Sequence, residues 1–433
     1  MSRTCIIVSP YFPPSTLAGV HRARHLAKHL PAAGWQPIVL CVNEAYYEEG
    51  LDPGLFSLVP RSVEIVKVKA LPAPLTRLFG VGEISLRACS QLRSALFRLL
   101  STRQIGAVFI TGSPYYPMLL ASEIKRRFGV PVILDFQDPW VSAWGARQAP
   151  LSKTGISHRL ATLLEPRAVR AADFITSVSE IQNAEMAVRY EWLDRSRMAA
   201  IPIGGDPDDY GALRKVPGHQ VGGYLSSECV NLSYVGTFMP RSETLMKVLL
   251  KGFAQFRNQR PRAAASVRLN FIGTSNQPND TTTYRVRPLA EAEGVADAVL
   301  EVPERVPYLT ALECLTQSNG LLLIGSDEPH YTASKIYPGL MSGRPYLSLF
   351  HHVSSAHAIL LRAGGGIALG FSSPVELAEL VNHVCDGLVQ LVISPESLAR
   401  VDPAAYAPYE ARAIAFQYAK IFNELHKARA KRH

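Results

Sequence analysis

The sequence predicts an α/β protein made of two doubly wound, Rossmann-like domains in series. Short runs rich in β-branched residues alternate with stretches whose apolar residues recur at helical spacing, and this rhythm restarts after about residue 205. The length of 433 residues exceeds that of a typical single domain, and 47% hydrophobic residues are enough to form two cores. Strand–helix alternation of this kind indicates open parallel sheets covered on both faces.

In the first half, a buried strand at Cys5–Ser9 leads through a proline-rich loop into a helix from Val20 to Ala33, which ends at Gly34. The apolar residues of this helix keep a spacing of three and four. Further strands are predicted at 38–42, 62–68, 107–110, 130–135 and 174–177, and helices near 86–101, 116–128 and 158–172.

In the second half, the strands are predicted at 231–235, 268–272, 298–301, 320–324 and 346–349. Each is separated from the next by a helical stretch, and an apolar stripe indicates a last helix over about 409–430. Gly364-Gly-Gly366 follows a helix and is interpreted as its end, not as a dinucleotide fingerprint.

The positive charge lies almost entirely in the first half of the chain. The net charge is +9; up to Gly205 there are 23 Lys and Arg against 15 Asp and Glu, and after it 22 against 21. A one-sided basic surface indicates an anionic partner such as a membrane, an acceptor or nucleic acid, and the absence of a recognition motif argues against nucleic acid.

Several classes of site are disfavoured. The six cysteines include no C-x-x-C pair, which argues against a zinc or redox centre. The acidic run Asp206-Pro-Asp-Asp209 resembles a metal-binding motif but fits a loop between domains, so no metal is expected. No stretch is apolar enough for a signal peptide or a membrane span, so we expect a cytoplasmic protein, with peripheral attachment to the inner face of the membrane left open.

Five stretches, in order, resemble bacterial glycosyltransferases of family 4, which have the two-domain GT-B fold. The first contains Pro-Tyr-Phe-Pro-Pro and runs into the helix at Val20; another reads Leu-Asp-Phe-Gln-Asp-Pro-Trp. These stretches span residues 6–24, 131–140, 172–179, 201–206 and 334–345.

The resemblance implies transfer of a sugar from a nucleotide-sugar donor to a glycan, lipid-linked or small-molecule acceptor in bacterial glycoconjugate biosynthesis. It implies a hexosyltransferase-type reaction that retains anomeric configuration and uses neither metal nor cofactor. Residues 1–205, joined by the C-terminal helix 408–433, would hold the acceptor, and residues 206–407 the donor, with a central cleft between the two sheets.

A donor diphosphate needs cations and backbone N–H groups as negative charge develops on it. Arg241 and Lys335 each stand close before a predicted helix, and Ser334 is expected to cap the second of these helices. Gly19 has no side chain to keep a phosphate or sugar away. The full set expected to bind the donor is Gly19, Gly236, Thr237, Arg241, Gly273, Glu328, His330, Ser334 and Lys335.

The chain departs from the family in its acidic residues. The family commonly carries two glutamates eight positions apart that contact the donor sugar and ribose; here these positions are His330 and Pro338. Glu328 and Asp327, two and three residues upstream of His330, are the candidate substitutes. If neither substitutes, the ribose lacks its usual carboxylate.

The acceptor side also departs from the family, because Gln137 stands where His or Arg is common. Gln137 hydrogen-bonds but is not a base at neutral pH. Asp138 is the expected contact of the acceptor hydroxyl, and His21 the next candidate. These three are the predicted catalytic residues.

Two functional alternatives remain, a nucleotide-sugar epimerase on the same fold and a non-catalytic scaffold or binding protein. The membrane question also has two answers. The segment Leu71–Arg103 is either a basic amphipathic element at an anionic membrane or an ordinary helix packed on the sheet.

Overall fold

The structure is a computed structural model that describes residues 3–213, 221, 223–275, 277, 280–328, 331 and 334–431. The chain forms two compact units, which we call the N-domain and the C-domain. The N-domain comprises Met1–Ile203 and Ala411–His433, and the C-domain comprises Gly204–Glu410. These limits lie within a few residues of those expected from the sequence.

The N-domain is built on a parallel sheet whose seven described strands have the order β3-β2-β1-β4-β5-β6-β7. The central strands are buried along their whole length because helices cover both faces of the sheet. The strands are β1 (Arg3–Val8), β2 (Trp35–Val42), β3 (Glu64–Val68), β4 (Ile105–Gly112), β5 (Val132–Phe136), β6 (Phe174–Ser177) and β7 (Met198–Ala200).

Two helical layers enclose this sheet. Helices α1 and α20 pack on one face, and helices α5, α6, α8 and α9 pack on the other. The N-domain helices are α1 (Val20–His29), α2 (Pro53–Ser57), α3 (Ala73–Arg77), α4 (Ile84–Arg87), α5 (Cys89–Thr102), α6 (Ala121–Phe128), α7 (Ala143–Ala146), α8 (Lys153–Ala171), α9 (Glu180–Arg189) and α20 (Ala411–Ala430), with 3-10 turns at Leu30–Ala33, Glu44–Tyr46, Tyr116–Leu120 and Arg195–Arg197.

The C-domain repeats this plan with a parallel sheet of six described strands in the order β10-β9-β8-β11-β12-β13. The strands are β8 (Val230–Val235), β9 (Val267–Ile272), β10 (Val299–Val302), β11 (Gly320–Ile324), β12 (Tyr346–His351) and β13 (Gly366–Phe371). The helices are α10 (Pro207–Leu213), α11 (Glu243–Gln259), α12 (Pro261–Ala264), α13 (Arg287–Ala292), α14 (Tyr308–Gln317), α15 (Ile336–Met341), α16 (Ser355–Ala363), α17 (Pro374–Glu379), α18 (Val381–Ile393) and α19 (Pro403–Tyr406), with 3-10 turns at Pro240–Ser242, Ala296–Ala298, Pro395–Ser397 and Ala407–Tyr409.

The predicted strands are all present, and two further strands were missed. β7 has only three residues, and β13 begins at a glycine, so neither has the apolar run that marks a buried strand. The end of α16 is as predicted, since Gly364 has a positive φ of 60° and its N–H donates to Leu360 O.

Helix α5 decides the membrane alternative only for its own part of the segment Leu71–Arg103. Leu92, Leu96, Leu99 and Leu100 are buried in the N-domain core, so this helix packs on the sheet with a solvated basic edge. In the first part of the segment, Leu71, Leu75, Leu78 and Phe79 are exposed, so contact of residues 71–88 with lipid stays a prediction. No helix in the described part of the chain is long and apolar enough to cross a membrane.

Candidate functional site

Gln137 joins three elements at the carboxyl edge of the N-domain sheet. Its side-chain amide nitrogen donates to Gly19 O (3.1 Å), just before α1, and to Thr111 Oγ1 (2.7 Å) on β4. Gln137 is buried, and its own N–H donates to Gly112 O. The side chain predicted to face the acceptor therefore fixes the position of Gly19.

A buried carboxylate below this edge was not singled out by the sequence. Asp135 accepts hydrogen bonds from Arg22 Nε (3.1 Å), Thr111 Oγ1 (2.8 Å), Thr176 Oγ1 (2.7 Å) and Tyr418 Oη (2.8 Å). Four donors to one buried carboxylate compensate its loss of hydration. Asp135 thereby ties α1, β4, β6 and the C-terminal helix together beneath the predicted acceptor residues.

Arg22 carries this network to the end of the N-domain. Its guanidinium donates to Pro202 O (2.9 Å) and to Ile201 O, and it lies over the Tyr418 ring. In the sequence, this network was marked only by an arginine near the start of α1. Its contact between Tyr418 and Asp135 joins residues 283 positions apart, which no sequence pattern predicts.

Asp138 presents an exposed carboxyl just after β5. Surrounding protein partly desolvates this carboxyl and raises its pKa. Tyr115 fixes the loop that carries Asp138. Its Oη donates to Asp138 O (2.9 Å), and its ring stacks on that of Trp140 with the ring centres 5.3 Å apart. A raised pKa makes the carboxylate a better proton acceptor, which agrees with the predicted contact to an acceptor hydroxyl.

The surroundings of His21, the next catalytic candidate after Asp138, oppose a role as general base. Burial, and then the positive charge of Arg24, lower the pKa of His21 to about 3. Arg24 Nη2 lies 3.3 Å from His21 Nδ1. An imidazole with this pKa stays neutral near pH 7 and is a weak base.

Lys335 lies at the carboxyl end of β8 in the C-domain. Its Nζ donates to Thr237 O (3.2 Å) and to Tyr234 Oη, and lies 4.1 Å from the centre of the Tyr234 ring. Burial lowers the pKa of Lys335 to about 7. An anion beside Nζ would favour the charged form, so the site is suited to an anionic ligand.

Gly236 lies directly against this lysine. Its φ of 131° disfavours any residue with a side chain, and a Cβ built there would lie 3.7 Å from Lys335 Cε. Gly273, at the end of the neighbouring strand β9, also has a positive φ of 75° and donates its N–H to Val302 O. Both glycines form turns at the carboxyl edge of the sheet, where parallel α/β folds bind ligands.

Arg241 lies in the turn before α11 and forms an ion pair with Glu328 through Nη1. Backbone contacts hold the same two loops together: Asp327 N–H donates to Arg241 O (3.1 Å), and Ser242 Oγ to Gly325 O (2.6 Å). The structure thus brings together a residue predicted for phosphate and one predicted for ribose. Glu328 orients the Arg241 guanidinium.

The start of α15 differs from expectation. The capping position is Lys335, without a side-chain cap, and Ser334 contributes its carbonyl, which accepts from Tyr337 N–H. Ser334 was expected to cap this helix and does not, because the helix begins one residue later. His330 lies outside the described residues. The sequence also missed Tyr234, whose only signal was a tyrosine two residues before Gly236.

Comparisons with known proteins give a family match for the first half of the chain and a fold for nearly all of it. Residues 18–204 match the family of glycosyl transferase 4-like domains. No curated protein sequence matches the chain.

Solved structures match over nearly the whole chain at low sequence identity. Anabaena Alr3699/HepE, crystallised with UDP and glucose, is 12% identical, with a TM-score of 0.58 over 98% of this chain and 100% of its own. WaaG, a glycosyltransferase involved in lipopolysaccharide biosynthesis, is 13% identical, with a TM-score of 0.60 over 96% of this chain and 99% of its own.

A UDP-forming α,α-trehalose-phosphate synthase from Burkholderia vietnamiensis is 13% identical, with a TM-score of 0.63 over 99% of this chain and 100% of its own. These likenesses confirm the predicted GT-B fold, with its two Rossmann-like sheets.

Proposed function

We propose a reaction for this chain, which is a glycosyltransferase of the GT-B type resembling family 4. Its match over residues 18–204 supports this class. It moves a sugar from a nucleotide-sugar donor to a glycan, lipid-linked or small-molecule acceptor in bacterial glycoconjugate biosynthesis. The observation that carries the proposal is the half-buried Lys335 amine against Gly236 at the carboxyl end of β8.

Lys335 and Arg241 bind the donor diphosphate. As the sugar–phosphate bond breaks, negative charge grows on the leaving oxygen, and a cation already in place stabilises it. Lys335 is held by Thr237 O and Tyr234, and Arg241 by Glu328. Because the protein positions both side chains before the ligand arrives, little reorganisation is needed during the reaction.

We choose UDP as the nucleotide to test first. Anabaena HepE has been crystallised with UDP and with UDP-glucose, and the Burkholderia synthase is described as UDP-forming. Gly236 and Gly273 have no side chain at the ends of β8 and β9, which would allow close approach of a nucleotide.

The acceptor is assigned to the N-domain, with Asp138 in contact with its hydroxyl. The exposed Asp138 carboxyl, with its raised pKa, supports this role. Retention of anomeric configuration, a hexosyl donor and independence of metal and cofactor belong to the same proposal. So does a cytoplasmic location with contact at the inner membrane face.

Titration calorimetry with a panel of nucleotides and nucleotide sugars tests the donor assignment. UDP or a UDP-sugar should bind the wild type, and Arg241→Ala and Lys335→Ala should weaken that binding. Lys247→Ala is the matched control, since this exposed lysine on α11 pairs only with Glu243 among the described residues. Its affinity should be unchanged.

The alternatives give different results. Absence of binding by every nucleotide would overturn the enzyme assignment and favour the scaffold. Release of an epimerised nucleotide sugar without any acceptor would favour the epimerase. Unchanged affinity in both Arg241→Ala and Lys335→Ala would remove the donor site from this edge of the C-domain.

A further inference from the structure

Helix α8 carries an apolar stripe on the side that faces away from the N-domain core. Ile156, Leu160 and Leu163 are 47%, 43% and 55% exposed, and they are spaced at i, i+4 and i+7, so they form one line along the helix. The opposite side of the same helix is the packed one, with Ala161, Glu165, Ala168 and Val169 buried. A surface helix normally presents polar residues outward, so an exposed apolar stripe indicates a surface that contacts a partner.

The apolar surface continues ahead of the helix. Trp144 on α7 is 52% exposed, and Leu151, just before the helix cap at Ser152, is 85% exposed. Tryptophan and leucine next to an amphipathic helix are typical of a surface that rests in the interfacial layer of a bilayer.

The exposed charges on α8 itself are all positive. Lys153, Arg159, Arg167 and Arg170 are exposed on α8. The single acid of the helix, Glu165, is buried, where it accepts hydrogen bonds from Val141 N–H, Tyr190 Oη and Arg189 Nε. The outward side of α8 therefore combines apolar and cationic residues without an exposed carboxylate.

The same helical layer is basic beyond α8. Residues 89–171, which contain α5, α6 and α8, hold 11 Lys and Arg against 4 Asp and Glu, which is +7 of the +8 of the first half. Two of the four acids, Asp135 and Glu165, are buried. Helix α9, the fourth helix of this layer, carries Glu180 and Glu185 against Arg189, so the excess charge lies in the segment from α5 to α8.

We propose that the outward side of α8, with Trp144 and Leu151, docks on an anionic lipid bilayer. This deepens the acceptor side of the proposed function by naming the surface that approaches a lipid-linked acceptor. A second copy of the chain is a poorer partner, because two such faces would bring like charges together without any exposed acid on α8 to pair with them. An anionic bilayer complements both the apolar stripe and the arginines.

Flotation of the full-length protein with lipid vesicles tests the proposal. The protein should float with vesicles of mixed phosphatidylcholine and phosphatidylglycerol, float much less with phosphatidylcholine alone, and be released as salt is added. The triple variant Ile156→Ser/Leu160→Ser/Leu163→Ser should weaken partitioning by on the order of a hundredfold, since each side chain buries little area but all three act together. Arg159→Gln/Arg167→Gln should lower binding and flatten its salt dependence.

Leu361→Ser is the matched control, because Leu361 is a leucine on α16 of the C-domain that is 65% exposed, more than any residue of the stripe. It should float like the wild type. Circular dichroism and UDP affinity should be unchanged in all variants, since no side chain altered is packed in a core or lies at the donor residues. Retained UDP binding with lost flotation separates this proposal from the proposed function.

Three results would overturn the docking surface. They are equal flotation with neutral and anionic vesicles, full flotation of the triple variant, and a dimer in sedimentation velocity that the wild type forms and the triple variant does not. The last would assign the stripe to contact between two copies.

Discussion

The lowered pKa of Lys335 predicts how donor affinity depends on pH. Because burial lowers its pKa to about 7, about half of the lysines are charged at pH 7, and about 1% at pH 9. The phosphates of UDP are already ionised over this range, so the ligand charge hardly changes. If UDP binds the charged form, its affinity should fall about fiftyfold from pH 7 to pH 9.

Calorimetry at several pH values measures this directly. Binding near pH 7 should also take up a fraction of a proton, seen as a dependence of the heat on the ionisation enthalpy of the buffer. Lys335→Met should bind UDP weakly with a nearly flat profile, whereas Lys335→Arg keeps a charge at every pH and should also be flat. A wild-type profile that does not change between these pH values, or the same slope in Lys335→Met, would refute the reasoning.

The other predictions concern stability and the acceptor side. The free energy of unfolding should rise between about pH 7 and pH 10, because unfolded Lys335 binds a proton that the native lysine releases, and denaturant titrations of Lys335→Met should lack this component. Gly19→Ala should fold normally, since the backbone φ is −60° and the new Cβ lies 3.4 Å from Gln137 Oε1. If the substrate approaches Gly19, kcat/KM should nevertheless fall by on the order of a hundredfold. Unchanged kcat/KM would remove Gly19 from the site. Asp138→Asn should lower transfer by about a hundredfold or more with UDP affinity unchanged, and equal loss of both would point to misfolding of the loop. Asp135→Asn should lower the free energy of unfolding by about 3 kcal/mol, because it takes the ionic partner from buried Arg22; an unchanged urea midpoint would contradict this.

The sequence predicted the parts of this molecule that depend on local pattern. Strand runs, helix spacing and the stop at Gly364 are set by neighbours within a few residues, and all were confirmed. The motifs also led to Lys335 and Arg241, because both stand just before helices in a familiar order.

What the sequence could not give depends on contacts between distant segments. Gln137 appeared as an acceptor residue, but its position between Gly19 and Thr111 is a property of three loops meeting. The ion pair of Arg241 with Glu328 joins residues 87 positions apart. The weak basicity of His21 follows from burial and from Arg24, and neither effect on its pKa is readable from composition.

The basic amphipathic segment shows the same limit. Leucines among arginines marked residues 71–103, but whether such leucines face a core depends on how the helix packs. In α5 they are buried, while in α8 the line formed by Ile156, Leu160 and Leu163 is exposed. Only the packing of both helices on the sheet distinguishes these two cases.

A crystal structure of the protein with UDP would test the assignment of the donor site to Lys335 and Arg241. We expect the diphosphate at the carboxyl end of β8, with its oxygens within hydrogen-bonding distance of Lys335 Nζ and the Arg241 guanidinium, and close to the backbone of Gly236. It would also show which group contacts the ribose in place of the missing glutamate. Well-ordered UDP bound away from Lys335, Arg241 and Gly236 would contradict it.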